Sequence, residues 1–132
     1  DGRWLAASRT MQDGHVQLLA SVDDGCTWQD RGPLTLPRQH PAHLACLADG
    51  RILLTYGIRN DGLYGVGARL SHDEGVTWSA PRILVQFEGA TDGGYPSSIQ
   101  CRDGTIVTAY YANRVVTHGR YHMGVVRWLA DA

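Results

Sequence analysis

The chain has 132 residues, 43% of them hydrophobic and 19% charged, with a formal net charge of −1, which suits one globular domain with an ordinary core. So small a charge excludes the electrostatic footprint of a nucleic-acid or anionic-membrane partner, and no apolar stretch approaches the ~20 residues a membrane helix needs. Three cysteines (Cys26, Cys46 and Cys101) are too few for a disulfide framework and show no metal-ligand spacing.

Cys46 and Cys101 sit in or beside apolar runs and read as small buried hydrophobes. All twelve basic residues are Arg, which coding bias accounts for, although Arg also suits planar, two-pronged recognition of carboxylates. The opening Asp1-Gly2-Arg3-Trp4 is not a signal peptide, and nothing else in the chain reports a compartment.

In chain order, the first element is an Asp1-Gly2 turn followed by the β-rich run Trp4 to Ala7. The octet Ser21-Val22-Asp23-Asp24-Gly25-Cys26-Thr27-Trp28 follows. It reads as a self-fastened hairpin turn: the Asp accepts hydrogen bonds from turn amides, the Gly supplies positive φ, and Thr-Trp leads back into a strand. The Trp then has a large apolar face to bury against a neighbouring repeat. A strand over Ala42 to Leu47, the Asp49-Gly50 turn and the strand Ile52 to Tyr56 come next.

Fifty residues after the first octet, Ser71-His72-Asp73-Glu74-Gly75-Val76-Thr77-Trp78 repeats its S-x-D-x-G-x-T-W pattern. The third unit carries the strand Tyr95 to Cys101, the Asp103-Gly104 turn, the strand Ile106 to Tyr111 and a closing run to Trp128.

The repeating unit is therefore four antiparallel strands in about fifty residues, the period of a propeller blade. No window has a helical period, so the expected fold is all-β. The expected organisation is a single propeller segment over 1–132: a partial blade one (1–36), blade two (37–88) and a partial blade three (89–132). Propellers close with about four to eight blades. The segment is thus expected either to be part of a larger propeller or to associate with itself, two copies completing a ring, because open sheet edges are a liability. A monomeric open arc is the remaining alternative.

Antiparallel order puts the D-G turns and the octets on one rim and the other connections on the opposite rim. The octet Asp and Trp residues are then structural. The opposite rim gathers Arg38, His40, His43, Tyr56, Arg59, Asn60, Asp61 and Tyr64 from blade two. Blade three adds Glu88, Asp92, Tyr95, Tyr110, Tyr111, Asn113, Arg114, His118, Arg120, Tyr121 and His122. A rim rich in Arg, Tyr, His and acid facing a depression suits a polar, even anionic, small molecule such as a sugar. His40 and His43 lie three apart and make no natural ligand pair on a strand. Neither a metal nor a cofactor is expected.

These segments resemble the sialidase superfamily and its Asp-box, or BNR, repeats. Beyond the octets, His40-Pro41-Ala42-His43-Leu44, Leu54-Thr55-Tyr56-Gly57-Ile58-Arg59, Asp92-Gly93-Gly94-Tyr95-Pro96-Ser97-Ser98 and Val107-Thr108-Ala109-Tyr110-Tyr111 are similar to the last two blades of bacterial sialidase-like proteins. The resemblance implies a six-bladed propeller and, in active members, hydrolysis of a terminal sialic acid through a Tyr nucleophile supported by a Glu, three Arg and an acid/base Asp. Family members are often secreted or periplasmic.

Tyr95, eight residues before Asp103, stands at the offset of the family's nucleophile, and Asp92 is the carboxylate beside it. Arg59, His43 and His122 are the substrate-contact candidates. Pro41 occupies the place where the family's Glu is expected, the F-R-I-P segment is absent, and Arg59 lies near but not at the offset of a substrate Arg. Three readings stand: a sialidase-type glycoside hydrolase or a fragment of one, a non-catalytic carbohydrate-binding or protein-interaction propeller module, and a truncated product without present-day activity.

Overall fold

A computed structural model describes residues 2–12, 14–89 and 92–131; Asp1 of the first D-G pair lies outside the described residues. Ten strands and no helix are found among them. They are β1 (Trp4–Arg9), β2 (Val16–Ser21), β3 (Gln29–Pro33), β4 (Ala42–Cys46), β5 (Ile52–Asn60), β6 (Leu63–Ser71), β7 (Arg82–Phe87), β8 (Gly94–Gln100), β9 (Ile106–Ala112) and β10 (His122–Trp128). They form three antiparallel sheets ordered β1-β2-β3, β4-β5-β6-β7 and β8-β9-β10. Each is a meander, as a blade requires. The all-β propeller architecture expected from the repeats is the observed one, with four strands in the central blade and three in each flanking blade.

The two octets close by the same bonds. In the first, the Asp23 carboxylate accepts from the Thr27 amide at 2.8 Å, the Thr27 hydroxyl at 2.6 Å and the Ser21 hydroxyl at 2.8 Å. Asp73 repeats all three with Thr77 and Ser71. The Ser hydroxyl also accepts from the following Gly amide, at 2.9 Å in one turn and 2.8 Å in the other. Each Trp indole N–H donates to the Gly carbonyl three residues earlier. These bonds hold both Asp carboxyls well below the usual range, at about 2, with the Thr hydroxyl as the largest cause.

The two tryptophans then part company. Trp78 packs on the core cluster between blades one and two, whereas Trp28, at the open side of blade one, stays 42% exposed and does not bury as the repeat alone suggests.

Blade two is the sandwiched one, and β5 shows it. Its even positions Leu54, Tyr56 and Ile58 meet Val16, Leu18 and Leu34 of blade one. Leu53, on its other face, joins Leu47, Ala68, Ile106 and Trp128 toward blade three. A third cluster unites Val66 and Phe87 with Tyr110 and Ala112. Both faces of β5 are dry, so its run of buried residues is continuous where a half-exposed strand would alternate. Blade three does alternate: in β9, Ile106, Thr108, Tyr110 and Ala112 are buried, and the residues between them lie on the more open face.

Two tyrosines expected at the rim are core residues for this reason. Tyr56 is 1% and Tyr110 8% exposed, because their strand parity turns them into the blade contacts. Cys46 is exposed and Cys101 half-buried, since each lies at the end of a strand, beyond the buried stretch.

A polar seam crosses the contact between blades two and three. Thr55 Oγ1 lies 3.0 Å from Ser98 Oγ, Ser98 Oγ lies 2.9 Å from Thr108 Oγ1, and the Trp128 indole donates to Thr108 Oγ1 at 3.0 Å. The Ser98 amide donates to His43 Nδ1 at 3.3 Å.

Among the described residues β1 pairs with β2 alone, leaving its other edge open. Beside it lies a cleft of about 780 Å³ walled by Trp4, Leu5, Leu18, Leu44 and Ile52. The cleft is on the octet side, away from the tyrosine rim. Its walls come from both blade one and blade two, with Leu44 of β4 itself among them.

Candidate functional site

The opposite rim is assembled where blade two meets blade three. β5 runs from the Asp49-Gly50 turn toward this rim and carries Arg59 near its end, while β8 starts there with Gly94 and Tyr95. The backbones come close because glycines stand at the crossing. A Cβ on Gly57 would meet the His40 carbonyl oxygen at 2.7 Å, and one on Gly94 would meet the Gly57 Cα at 2.9 Å.

Across this narrow junction the Arg59 guanidinium reaches from one blade to the other. Nη2 lies 2.7 Å from Asp92 Oδ1 and donates to the Gly93 carbonyl at 3.2 Å, and Nη1 lies 3.3 Å from His40 Nδ1. The Arg59 Nε–H is buried without a hydrogen-bond partner. A buried cation of this kind is held by its carboxylate partner.

His40 is 6% exposed. Burial, followed by the nearby Arg9 and Arg59 cations, pushes its imidazole below the usual range. A neutral ring with its Nδ1 lone pair toward Arg59 fits that environment.

Tyr95 is placed by an irregularity. Its φ is +46°, next to Gly94 at +94°, and the ladder between β8 and β9 shifts register between Gly94 and Ser97. A bulge of this type re-aims a side chain, and a bulky residue in the left-handed region is strained. Tyr95 stands 49% exposed, with the Arg59 guanidinium 5.4 Å from its ring centroid.

The Asp92 carboxylate turns to a different phenol. Tyr111 donates to Asp92 Oδ2 at 2.5 Å, and its own ring lies 5.5 Å from that of Tyr95. Burial first, and the Asp92 hydrogen bond second, push the Tyr111 phenol up to about 12. Tyr121 continues the row, 6.3 Å from Tyr111.

Arg59, Asp92 and Tyr95 are therefore brought together. His43 is not with them: it lies along β4, its Nδ1 taken by the Ser98 amide between the blades. His122 opens β10, pairs edge-to-face with His118 at 4.5 Å, and has its Nδ1 2.7 Å from the Arg120 carbonyl. Tyr111 and His40 are neighbours of the cluster that the sequence places on the rim without giving them a role. Strand parity could have found Tyr111: Ile106, Thr108 and Tyr110 turn inward, so Tyr111 must face the way Tyr95 does.

Elsewhere on this rim, Arg38 pairs with Asp61 at 3.2 Å and donates to the Tyr64 hydroxyl at 3.3 Å, and Gln39 donates to Asn60 at 2.9 Å. These bonds tie the connection entering blade two to its β5–β6 turn. No group of three or more His, Cys, Asp or Glu is arranged to hold a metal among the described residues.

The fold is shared with several solved structures. A protein of unknown function from Dyadobacter fermentans is 29% identical, with a TM-score of 0.76 over 96% of this chain and 35% of its own. A Penicillium chrysogenum α-L-arabinanase complexed with arabinobiose is 18% identical, with a TM-score of 0.67 over 98% of this chain and 41% of its own. A polysaccharide lyase, an ulvan lyase bound to -[GlcA(1-4)Rha3S]-, is 16% identical, with a TM-score of 0.59 over 76% of this chain and 24% of its own. The chain thus spans between a quarter and two-fifths of the length of these proteins. No functionally curated protein matches it. Residues 1–108, which include both octets and the junction that carries Arg59, Asp92 and Tyr95, match the BNR repeat-like domain, and the chain belongs to that family.

Proposed function

We propose that this chain is a carbohydrate-handling propeller segment of glycoside-hydrolase type, binding a sugar at the junction of blades two and three. The observation that carries the reading is the cluster itself. An arginine held across the blades by Asp92 and Gly93 lies against Tyr95, the one exposed tyrosine in a strained backbone conformation. Polar groups of fixed geometry beside aromatic faces are what a sugar needs, with hydroxyls to hydrogen-bond and C–H faces to stack. The arabinanase and the ulvan lyase, which share the fold, support a glycan as ligand class.

The finer proposal is sialidase-type exo-hydrolysis with Tyr95 as nucleophile, Asp92 as the carboxylate of the cluster, and Arg59 and His122 as substrate contacts; His43, held between the blades by the Ser98 amide, is not one of them. A neutral phenol approaches the anomeric carbon of an anionic sugar with less repulsion than a carboxylate does. Replacing Tyr95 with Phe is then expected to abolish release of a fluorogenic sialoside while glycan binding persists. Unchanged turnover would sink the hydrolytic proposal.

One observation favours a second reading, a binding module without catalysis: Asp92 accepts from Tyr111 rather than from Tyr95, and Arg59 is already paired. Glycan-array binding with no cleavage of any arrayed glycan would establish it. In either case the faces of blades one and three are covered by further repeats or by a second copy of the chain, or the segment stands as an open arc. The self-associated form predicts a dimeric mass in light scattering.

A further inference from the structure

The rim holds more aromatic surface than one sugar would use. Tyr95 on β8, Tyr111 on β9 and Tyr121 just ahead of β10 come from three successive strand positions of one blade. Their ring centroids are separated by 5.5 Å and then 6.3 Å, with interplanar angles of only 35° and 34°. This is a row, not a cage: β8 and β9 each contribute one ring across the ~4.8 Å strand spacing, and the residue ahead of β10 adds the third. Arg59 closes its inner end, 5.4 Å from the first ring. Tyr95 is 49% and Tyr121 60% exposed.

Resting on the carbohydrate reading above, we propose that the three tyrosines form a linear platform for an unbranched oligosaccharide of at least three units. One sugar stacks on each ring, and the innermost lies at Arg59. Three features set this ligand apart from a single terminal sugar. The spacing of the rings is comparable to the advance per unit along an extended glycan. The row runs outward from the polar cluster, Arg59 and Asp92 meeting its first two rings and Tyr121 adding a third. The inner ring alone carries the backbone strain, which marks one end of the row as the place where orientation matters. The outer rings contribute contact area only, and each stacked ring adds to affinity as an aromatic contact does.

The test is binding of the 132-residue chain to linear neutral and uronic-acid oligosaccharides in matched series of one to five units, read on an array and by calorimetry. The expected result is affinity that rises with length up to three units and levels off thereafter. Tyr121→Ala is expected to lower affinity for the trisaccharide about tenfold, the equivalent of one good aromatic contact, and to leave monosaccharide binding unchanged. Tyr121→Trp, which keeps a stacking face, is expected to retain trisaccharide affinity. Tyr121 is exposed, and an unchanged melting temperature for its variants checks that the fold is intact.

Binding that is independent of length overturns the platform and leaves the single-sugar site standing. So does a Tyr121→Ala loss that is equal for one and three units. Absence of binding at every length overturns the carbohydrate reading and the platform together.

Discussion

The seam between blades two and three offers a stability prediction with its own internal control. Thr55 and Thr108 are fully buried and Ser98 is 7% exposed, so the hydroxyl chain that joins them has no water to fall back on. In Ser98→Ala, Thr55 loses its partner at 3.0 Å, while Thr108 keeps the Trp128 indole, also at 3.0 Å. One buried hydroxyl is left unsatisfied, at a cost of about 1–3 kcal/mol. Thr55→Val removes the other end without changing shape, and Ser98 retains Thr108 at 2.9 Å, so this loss is smaller, about 1 kcal/mol. Together the two substitutions remove both ends of one bond and orphan neither. The double variant is therefore expected to fall short of the summed losses by about 1 kcal/mol. Urea unfolding followed by tryptophan fluorescence measures all three, with Ser97→Ala on the exposed side of the same strand as the control, expected within about 0.5 kcal/mol of the parent. Strict additivity, or a Ser98→Ala loss no greater than that of Ser97→Ala, would refute the seam as a connection between blades.

The two octets make a matched pair for two more measurements. Trp78→Ala is expected to cost about 2 kcal/mol, since a half-buried indole forfeits part of the 3–5 kcal/mol of a fully buried one, and Trp28→Ala no more than about 1 kcal/mol; equal losses would show that the indoles act only through their local bonds. Asp23 and Asp73, held at about 2, titrate in the unfolded chain near ~3.9. A depressed folded value means that their contribution is complete above about pH 4 and is lost as the pH falls toward 2. The variant carrying both Asp23→Asn and Asp73→Asn is expected to show a shallower decline of stability with acid across that window, and a parent-like slope in denaturant titrations would contradict the assignment.

The blade architecture was legible because local chemistry alone specifies it. Each octet satisfies its own amides within eight residues, and the Asp49-Gly50 and Asp103-Gly104 turns are each closed by their Asp carboxylate on an amide two residues on. What a strand faces is a different matter. Tyr56 and Tyr110 carry polar tips and sit near strand ends, so composition places them on the rim, but their parity sets them between sheets. Trp28 and Trp78 are identical in local pattern and differ only in whether a blade lies against them. His43 reads as a rim residue, yet its ring is taken by a backbone amide of the next blade, a contact between positions far apart in the chain. In the site, Arg59, Asp92 and Tyr95 could be nominated by residue type. The hydrogen bond from Tyr111 to Asp92 could not, because it joins the segment ahead of β8 to a residue of β9 nineteen positions away.

The burial of β5 explains why the site lies at a blade junction rather than within one sheet. β5 is buried on both faces, so no polar group along its length can reach solvent until the strand emerges at Arg59. β8 begins at that height, and with glycines at 57 and 94 the two backbones approach to a distance that side chains would forbid. Arg59 therefore has its partners on the other blade: a carboxylate, a carbonyl and an aromatic face from residues 92, 93 and 95. A guanidinium fixed at both prongs cannot swing to meet a ligand, so whatever binds must come to it along the surface that remains open. The open surface beside it carries the tyrosine row, and the bulge at Tyr95 sets the first ring of that row 5.4 Å from the arginine.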